Sequence, residues 1–449
     1  MFQSNPFSIS PSNRKIDPTR RRVTQARRPD GSPADNDRVE IGPTQLAFDE
    51  WQALGQQAPD LEALRHYRLG RMRAEIQKHD LAGLLLFDPL NIRYATDCTN
   101  MQLWITHNAC RACYIPADGP VILWDFHGCD HLSEHLPLVS EVRHGAAFFY
   151  FEAGDRMAEF ADRFAREIDD LMRQHSGGNR RLAVDKMEIP GVYAFEKLRV
   201  EVLPGQGVTE HARAIKDSNE LNAMRCAIRA SEAAVAEMEA VLRPGMTENA
   251  LWAILHHGNI IRGGEWIETR LLSSGPRTNP WYQECGPRVI QDGDLVAFDT
   301  DLIGPYGYCS DFSRTWLCGE GQANTTQKEL YKIAYEHITA NRELLKPGVS
   351  FQELTEKALR LPEPYREQRY GVCYHGVGLC DEYPSIRYPE DFDSSGYGGQ
   401  LEAGMVICVE AYVGAVGGRE GVKLEDQVAI TETGYENLVR YPFDSRLLD

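Results

Sequence analysis

One frame occurs twice in the last third of the chain, as Gly293-Asp294-Leu295-Val296-Ala297-Phe298-Asp299 and again as Gly404-Met405-Val406-Ile407-Cys408-Val409-Glu410. Each copy starts at a glycine, passes a β-branched residue three places on, and ends on a carboxylate six places on. Apolar runs of this length bounded by glycine read as buried strands. A second pair of segments repeats upstream of them: Leu242-Arg243-Pro244-Gly245-Met246-Thr247 aligns with Leu345-Lys346-Pro347-Gly348-Val349-Ser350. Each closes a helix and is followed by another helical stretch and then by the acid-terminated strand. Repeats in this order imply two related α/β halves facing each other.

Each half then offers further acids. Asp301 and Asp311 follow Asp299, with a turn at Gly304-Pro305 and Gly307 between them, and Glu425 follows Glu410 across the glycine-rich stretch 414–421. Alternate residues of a strand share a face, so Asp299 and Asp301 are expected to reach one site while Phe298 and Thr300 point away. The match with Glu410 favours Asp299 over Asp301 as the residue able to bridge two ions. Burying Asp299, Asp301, Asp311, Glu410 and Glu425 together is unfavourable unless something positive lies among them. Divalent metal ions meet that need, with His375 in Tyr374-His375-Gly376-Val377-Gly378 as a nitrogen ligand. Oxygen-rich ligation with one imidazole suits iron, manganese, cobalt or zinc better than copper. The alternative is an ion-pair network, for which Arg314 and Lys423 are near in sequence.

The rest of the chain sets the frame for this site. Its 449 residues with 42% hydrophobic content are enough for two or three domains. Leu69, Met72 and Ile76 recur at helical spacing, followed by the apolar runs Leu81–Phe87 and Val121–Trp124, as in an α/β domain. From Ser218 the pattern changes to a long helix with Leu221, Met224, Ile228, Val235, Met238 and Leu242 on one face. A later helix is expected to open on a capping box of Thr326 and Glu329. The expected domains are a basic arm over 1–44, an α/β domain over 45–208 and a catalytic domain over 209–449. The arm carries Arg14, Lys15, Arg20, Arg21, Arg22, Arg27 and Arg28 and is expected to pack poorly, as a solvated tail or lying on the acidic body or a second subunit. A net charge of −18 argues against a nucleic-acid partner. No run of about 18 or more apolar residues and no apolar leader is present, so a cytoplasmic protein without a membrane partner is expected. Eleven cysteines without a repeated spacing fit reduced thiols, and the lone pair Cys110 and Cys113 reads as core or surface rather than a zinc or redox site.

Gly307-Tyr308-Cys309-Ser310-Asp311 with Arg314-Thr315, His375-Gly-Val-Gly, Glu410 and Leu424-Glu425-Asp426 together resemble the "pita-bread" metallopeptidase superfamily of methionine aminopeptidase, prolidase, X-Pro aminopeptidase and creatinase. Residues from Leu69-Gly70-Arg71 through Tyr94 are similar to the creatinase amino-terminal domain. The resemblance implies a creatinase-like amino-terminal α/β domain followed by a pita-bread domain with an internal pseudo-two-fold axis. It also implies a dinuclear site whose ligands are Asp299, Asp311, His375, Glu410 and Glu425, with Asp301 alongside, and a homodimer.

Two departures from the peptidases concern the reaction. Pro280-Trp281-Tyr282 stands where they carry a Pro-His-Tyr-like segment, and Asp381-Glu382-Tyr383-Pro384 stands where they carry a second histidine before Glu-x-Pro. Ala411 replaces the usual proline after the glutamate. With these changes, and Tyr370 just before His375, the chain resembles the dimethylsulfoniopropionate-lyase branch of the superfamily. That resemblance implies a small zwitterionic sulfonium substrate, two divalent ions with iron first among the metals above, and no organic cofactor. Asp381 becomes the base that takes the α-proton, assisted by Tyr370. An exposed aspartate, with a pKa of about 3.9, is a weak base, so burial or neighbouring anions are expected to raise it; ion pairing with Arg387 is the structural alternative. Trp104, Trp281, Tyr282 and Tyr374, with Tyr370, are the aromatic candidates for the sulfonium. The competing functions are an Xaa-Pro aminopeptidase or prolidase, and a binding protein on a retired peptidase scaffold.

Overall fold

The computed structural model describes residues 14–15, 41–133 and 136–448, and the chain divides into two compact units. The first comprises 60–213 with 1–40, the second 214–449 with 41–59. In the first, strands β1 (Arg14–Lys15), β2 (Gly83–Leu86), β3 (Ala112–Pro116), β4 (Val121–Trp124), β5 (Val139–Arg143), β6 (Arg181–Val184) and β7 (Glu201–Pro204) form one sheet. Its order is β1-β5-β4-β3-β2-β6-β7, with β4/β5, β2/β6 and β6/β7 parallel. The helix Met157–His175 buries Ala161, Phe164, Ala165, Ile168, Leu171 and Met172, a stripe at spacings of three and four that lies in one core with Leu85, Tyr114 and Trp124. Cys110 and Cys113 are buried free thiols of this unit. Apart from Arg14 and Lys15, which pair with β5, and residues 41–44, the basic arm lies outside the described residues.

Residues 41–59 depart from the expected domain boundary. Their helix Gln45–Leu54 belongs to the second unit, where Trp51 stacks on Tyr306 and Glu50 pairs with Arg262 at 2.8 Å. The buried indole anchors a segment whose sequence position suggested the other unit.

The second unit contains β8 (Trp266–Ile267), β9 (Leu272–Ser274), β10 (Leu295–Asp299), β11 (Leu302–Ile303), β12 (Cys309–Ser310), β13 (Ser313–Leu317), β14 (Tyr374–Val377), β15 (Asp381–Ile386), β16 (Val406–Val413), β17 (Val422–Ile430) and β18 (Tyr435–Asn437). They form sheets ordered β13-β10-β9, β12-β11-β8 and β15-β14-β16-β17-β18. The duplication is visible in detail. Helices Ser218–Val241 and Thr325–Arg342 each run into a Pro-Gly turn with Gly245 at φ +94° and Gly348 at φ +83°. Gly245 N donates to Ile290 O at 2.9 Å and Gly348 N to Leu401 O at 2.8 Å. Thr247 and Ser350 then cap the next helices, their hydroxyls accepting from Ala250 N at 3.1 Å and Glu353 N at 3.0 Å. The capping box of the helix Thr325–Arg342 is Asn324 with Gln327, not Thr326 with Glu329. Both positions carry the same spacing; the asparagine two residues earlier takes the cap, and Gln327 also reaches Gly293 O, 2.9 Å away. No described helix is long and apolar enough to cross a membrane.

Candidate metal centre

Each half delivers its acids through a pair of adjacent antiparallel strands. Asp299 ends β10 opposite Ser313 of β13, and Glu410 of β16 stands directly opposite Glu425 of β17. Cross-strand partners lie only about 4.5–5.5 Å apart at Cβ, so Glu410 and Glu425 are forced together. β14 pairs with β16 and places His375 opposite Cys408. The His375 ring points its Nε2 at Glu425 Oε1 (3.3 Å), Glu410 Oε1 (3.4 Å) and Asp311 Oδ2 (3.5 Å), and its Nδ1 lies 3.1 Å from Gly376 O.

Asp299, Asp301 and Asp311 come together as expected, but not through the pleat of one strand. β10 stops at Asp299, and Asp301 has left-handed backbone at φ +37°. Thr269 Oγ1 donates to its Oδ2 and holds the side chain in place. Asp311 N donates to Gln427 Oε1 at 3.0 Å. Cys408 joins Asp311, His375 and Glu425, with its thiol 3.6 Å from Asp311 Oδ2. Thr269, Ser313, Cys408 and Gln427 were not singled out from sequence. Strand alternation about Asp311 and Glu410 marks Ser313 and Cys408; nothing local marks Thr269.

Lys423, raised from sequence only as an ion-pair partner, lies inside the cluster. Its fully buried Nζ is 2.9 Å from Asp299 Oδ2, 2.8 Å from Glu425 Oε2 and 2.8 Å from Ser313 Oγ. It also stands 2.9 Å from Glu410 Oε2, an ion-pair distance without hydrogen-bond alignment. Arg314 serves elsewhere: it alternates with Ser313, so its guanidinium reaches Asp426 at 2.9 Å and carbonyls of Glu425 and Tyr441.

One ammonium does not neutralise the site. Burial pushes the Asp299 carboxyl up to about 6 despite Lys423. Burial, reinforced by neighbouring carboxylates, holds Asp301, Asp311 and Glu410 well above the usual range. Glu425 alone is lowered: its burial is outweighed by Lys423 and His375. Burial would lower His375, but Asp381, Glu425 and Glu410 raise it well above an ordinary imidazole. Asp311 Oδ1 and Glu410 Oε1 are buried without a hydrogen-bond partner. Orphaned carboxylate oxygens beside an imidazole nitrogen fit metal ligation.

Of the catalytic and aromatic candidates, four gather here. Asp381 opens β15 with its side chain 64% exposed and Oδ1 3.7 Å from His375 Nδ1. The side chain is exposed rather than buried, and its charge contributes to raising Asp301 and Asp311. Arg387 donates instead to Gly371 O at 3.0 Å. The Tyr370 ring lies 4.5 Å from Lys423 Nζ and stacks on Tyr282 at 5.2 Å. Trp281 stacks on Tyr412 at 6.0 Å with its centroid 5.9 Å from the same Nζ. Tyr374 does not join them. As the neighbour of His375 on β14 it faces the opposite side, fully buried, and its hydroxyl donates to Asn341 O at 3.2 Å. Trp104 belongs to the first unit, 40% exposed and packed on Phe126.

The comparisons agree with this architecture. The family model of metallopeptidase family M24 matches residues 222–432, and that of the creatinase/prolidase N-terminal domain matches 68–215. The Xaa-Pro dipeptidase of Bacillus anthracis superposes with a TM-score of 0.68 at 22% identity, covering 84% of this chain and 98% of its own. Dimethylsulfoniopropionate lyase DddP of Roseovarius nubinhibens is 52% identical over 97% of this chain and 98% of its own length. DddP of Roseobacter denitrificans is 51% identical over the same shares. With the pita-bread fold, a creatinase-like first unit and this identity over 97% of its length, the chain belongs to the DddP family of dimethylsulfoniopropionate lyases within the M24 metallopeptidase superfamily.

Proposed function

We propose that this chain cleaves dimethylsulfoniopropionate to dimethyl sulfide and acrylate, with Asp381 taking the α-proton. The observation that carries the reading is an accessible carboxylate, Asp381, beside the buried cluster where the peptidases have an imidazole. Two divalent ions, held by Asp299, Asp301, Asp311, His375, Glu410 and Glu425, would supply positive charge for the substrate carboxylate and for charge building at the α-carbon. Iron is the first choice, then manganese, cobalt or zinc.

The α-C–H pair becomes the new carbon–carbon double bond while the β-carbon–sulfur bond breaks and its pair leaves with sulfur. The proton ends on Asp381, and no water is consumed. Exposure lets Asp381 return that proton to solvent. His375 Nδ1 lies 3.7 Å from Asp381 Oδ1. Burial, with Glu410 beside it, pushes the Tyr370 phenol far above its usual range, so it stays a hydrogen-bond donor throughout. Its ring contacts the Lys423 ammonium and stacks on Tyr282. Trp281 and Tyr282 then serve the sulfonium. Tyr374 has no part. A homodimer in the cytoplasm completes the reading, supported by the resemblance to the family.

Headspace gas analysis tests it. Metal-loaded protein should release dimethyl sulfide from dimethylsulfoniopropionate and leave Xaa-Pro dipeptides intact. Dipeptide cleavage without gas would instead favour the peptidase, the reading to which the 0.68 TM-score with a dipeptidase points.

A further inference from the structure

We propose that Lys423 makes the two metal positions unequal, its ammonium competing with one ion for carboxylate oxygens and leaving the other position free. The proposal rests on the two-metal reading above. Glu410 and Glu425 each present their two oxygens to different partners. Their Oε2 atoms face Lys423 Nζ at 2.9 and 2.8 Å, while their Oε1 atoms, with Asp311 Oδ2, face His375 Nε2 at 3.3–3.5 Å. The His375 position therefore keeps a full set of donors turned away from the ammonium. The other group, Asp299, Asp301 and Asp311, does not. Both oxygens of Asp299 are engaged, Oδ1 by Ser313 at 2.7 Å and Oδ2 by Lys423 at 2.9 Å.

The ammonium cannot retreat. Lys423 is fully buried on β17 opposite Tyr412, and its Nζ lies against the Tyr370 and Trp281 rings. Like charges this close repel strongly in a dry site. The lysine has a use all the same: five carboxylates (−5), two divalent ions (+4) and one ammonium (+1) sum to zero. Such a site binds its second ion weakly, yet stays neutral when full.

Chelator-stripped protein titrated with Mn²⁺, followed by calorimetry and by elemental analysis after equilibrium dialysis, tests this. Wild type should take two ions in separate steps, the second at least ~10-fold weaker. In Lys423→Met the second step should tighten by ~10-fold or more while the first moves less than ~3-fold. One ion in wild type and two in the variant would be the same result in stronger form. Two equal steps in wild type, or a gap unchanged in Lys423→Met, would overturn the proposal. No Mn²⁺ bound by either protein would sink the two-metal reading itself. If Lys423→Met does not fold, Lys423→Gln, an uncharged side chain that still donates hydrogen bonds, decides on the same criteria.

Discussion

Glu410 and Glu425 are direct cross-strand partners on β16 and β17, and both are buried. Two like charges in that relation destabilise a sheet. The strands tolerate them because Lys423 and His375 stand on either side, which commits this part of the fold to binding cations.

Removing the proposed base should separate chemistry from ligation. Asp381→Asn is expected to lower kcat by about 10²–10⁴-fold, the usual worth of a general base. Metal content should stay unchanged by elemental analysis, since the side chain is largely exposed at the rim. Wild-type turnover in this variant would remove Asp381 from the mechanism.

Tyr370 should act through its hydroxyl. In Tyr370→Phe, kcat is expected to fall while KM changes little, because the ring and its contacts with Lys423 and Tyr282 survive. Steady-state kinetics showing the reverse split would assign the residue to binding alone.

Ligand and stability should trade off at Asp311. Asp311→Asn is expected to lose metal, yet the chelator-treated variant should melt higher than chelator-treated wild type. Burial, reinforced by neighbouring carboxylates, holds the Asp311 carboxyl well above the usual range, a cost of folding that a neutral amide avoids. A lower melting temperature in the metal-free variant would contradict this.

His337 should contribute an acid-sensitive limb. Burial lowers its pKa to about 4 from 6.5, so the unfolded chain binds the proton first as pH falls. Its share of stability is present above about pH 6.5 and lost on going down towards pH 4. Urea midpoints measured across that window should be flatter for His337→Phe than for wild type.

The first unit should depend on a buried pair. Arg111 and Asp125 are both fully buried and 3.1 Å apart. Asp125→Ala strands the guanidinium and should cost about 3–5 kcal/mol by urea denaturation. A loss below ~1 kcal/mol would mean that the Asn100 carbonyl, 2.7 Å from Arg111 Nη1, suffices.

The ligand types and the duplicated halves were legible in the chain because both are local. A glycine, an apolar run and an acid specify a buried strand ending in a carboxylate, and Pro-Gly after a helix specifies where it stops. Strand periodicity puts the adjacent His375 and Tyr374 on opposite faces, which the expectation of Tyr374 as a substrate aromatic left out of account. Tertiary structure decided the rest. It turned Asp301 into the site through left-handed backbone rather than the pleat, put Tyr374 in the core, docked residues 41–59 on the second unit, and brought Lys423 to three carboxylates from two separate strand pairs. Sequence spacing fixes which residues share a strand face, but the charge a buried group meets comes from strands more than a hundred residues away, and only their packing sets it.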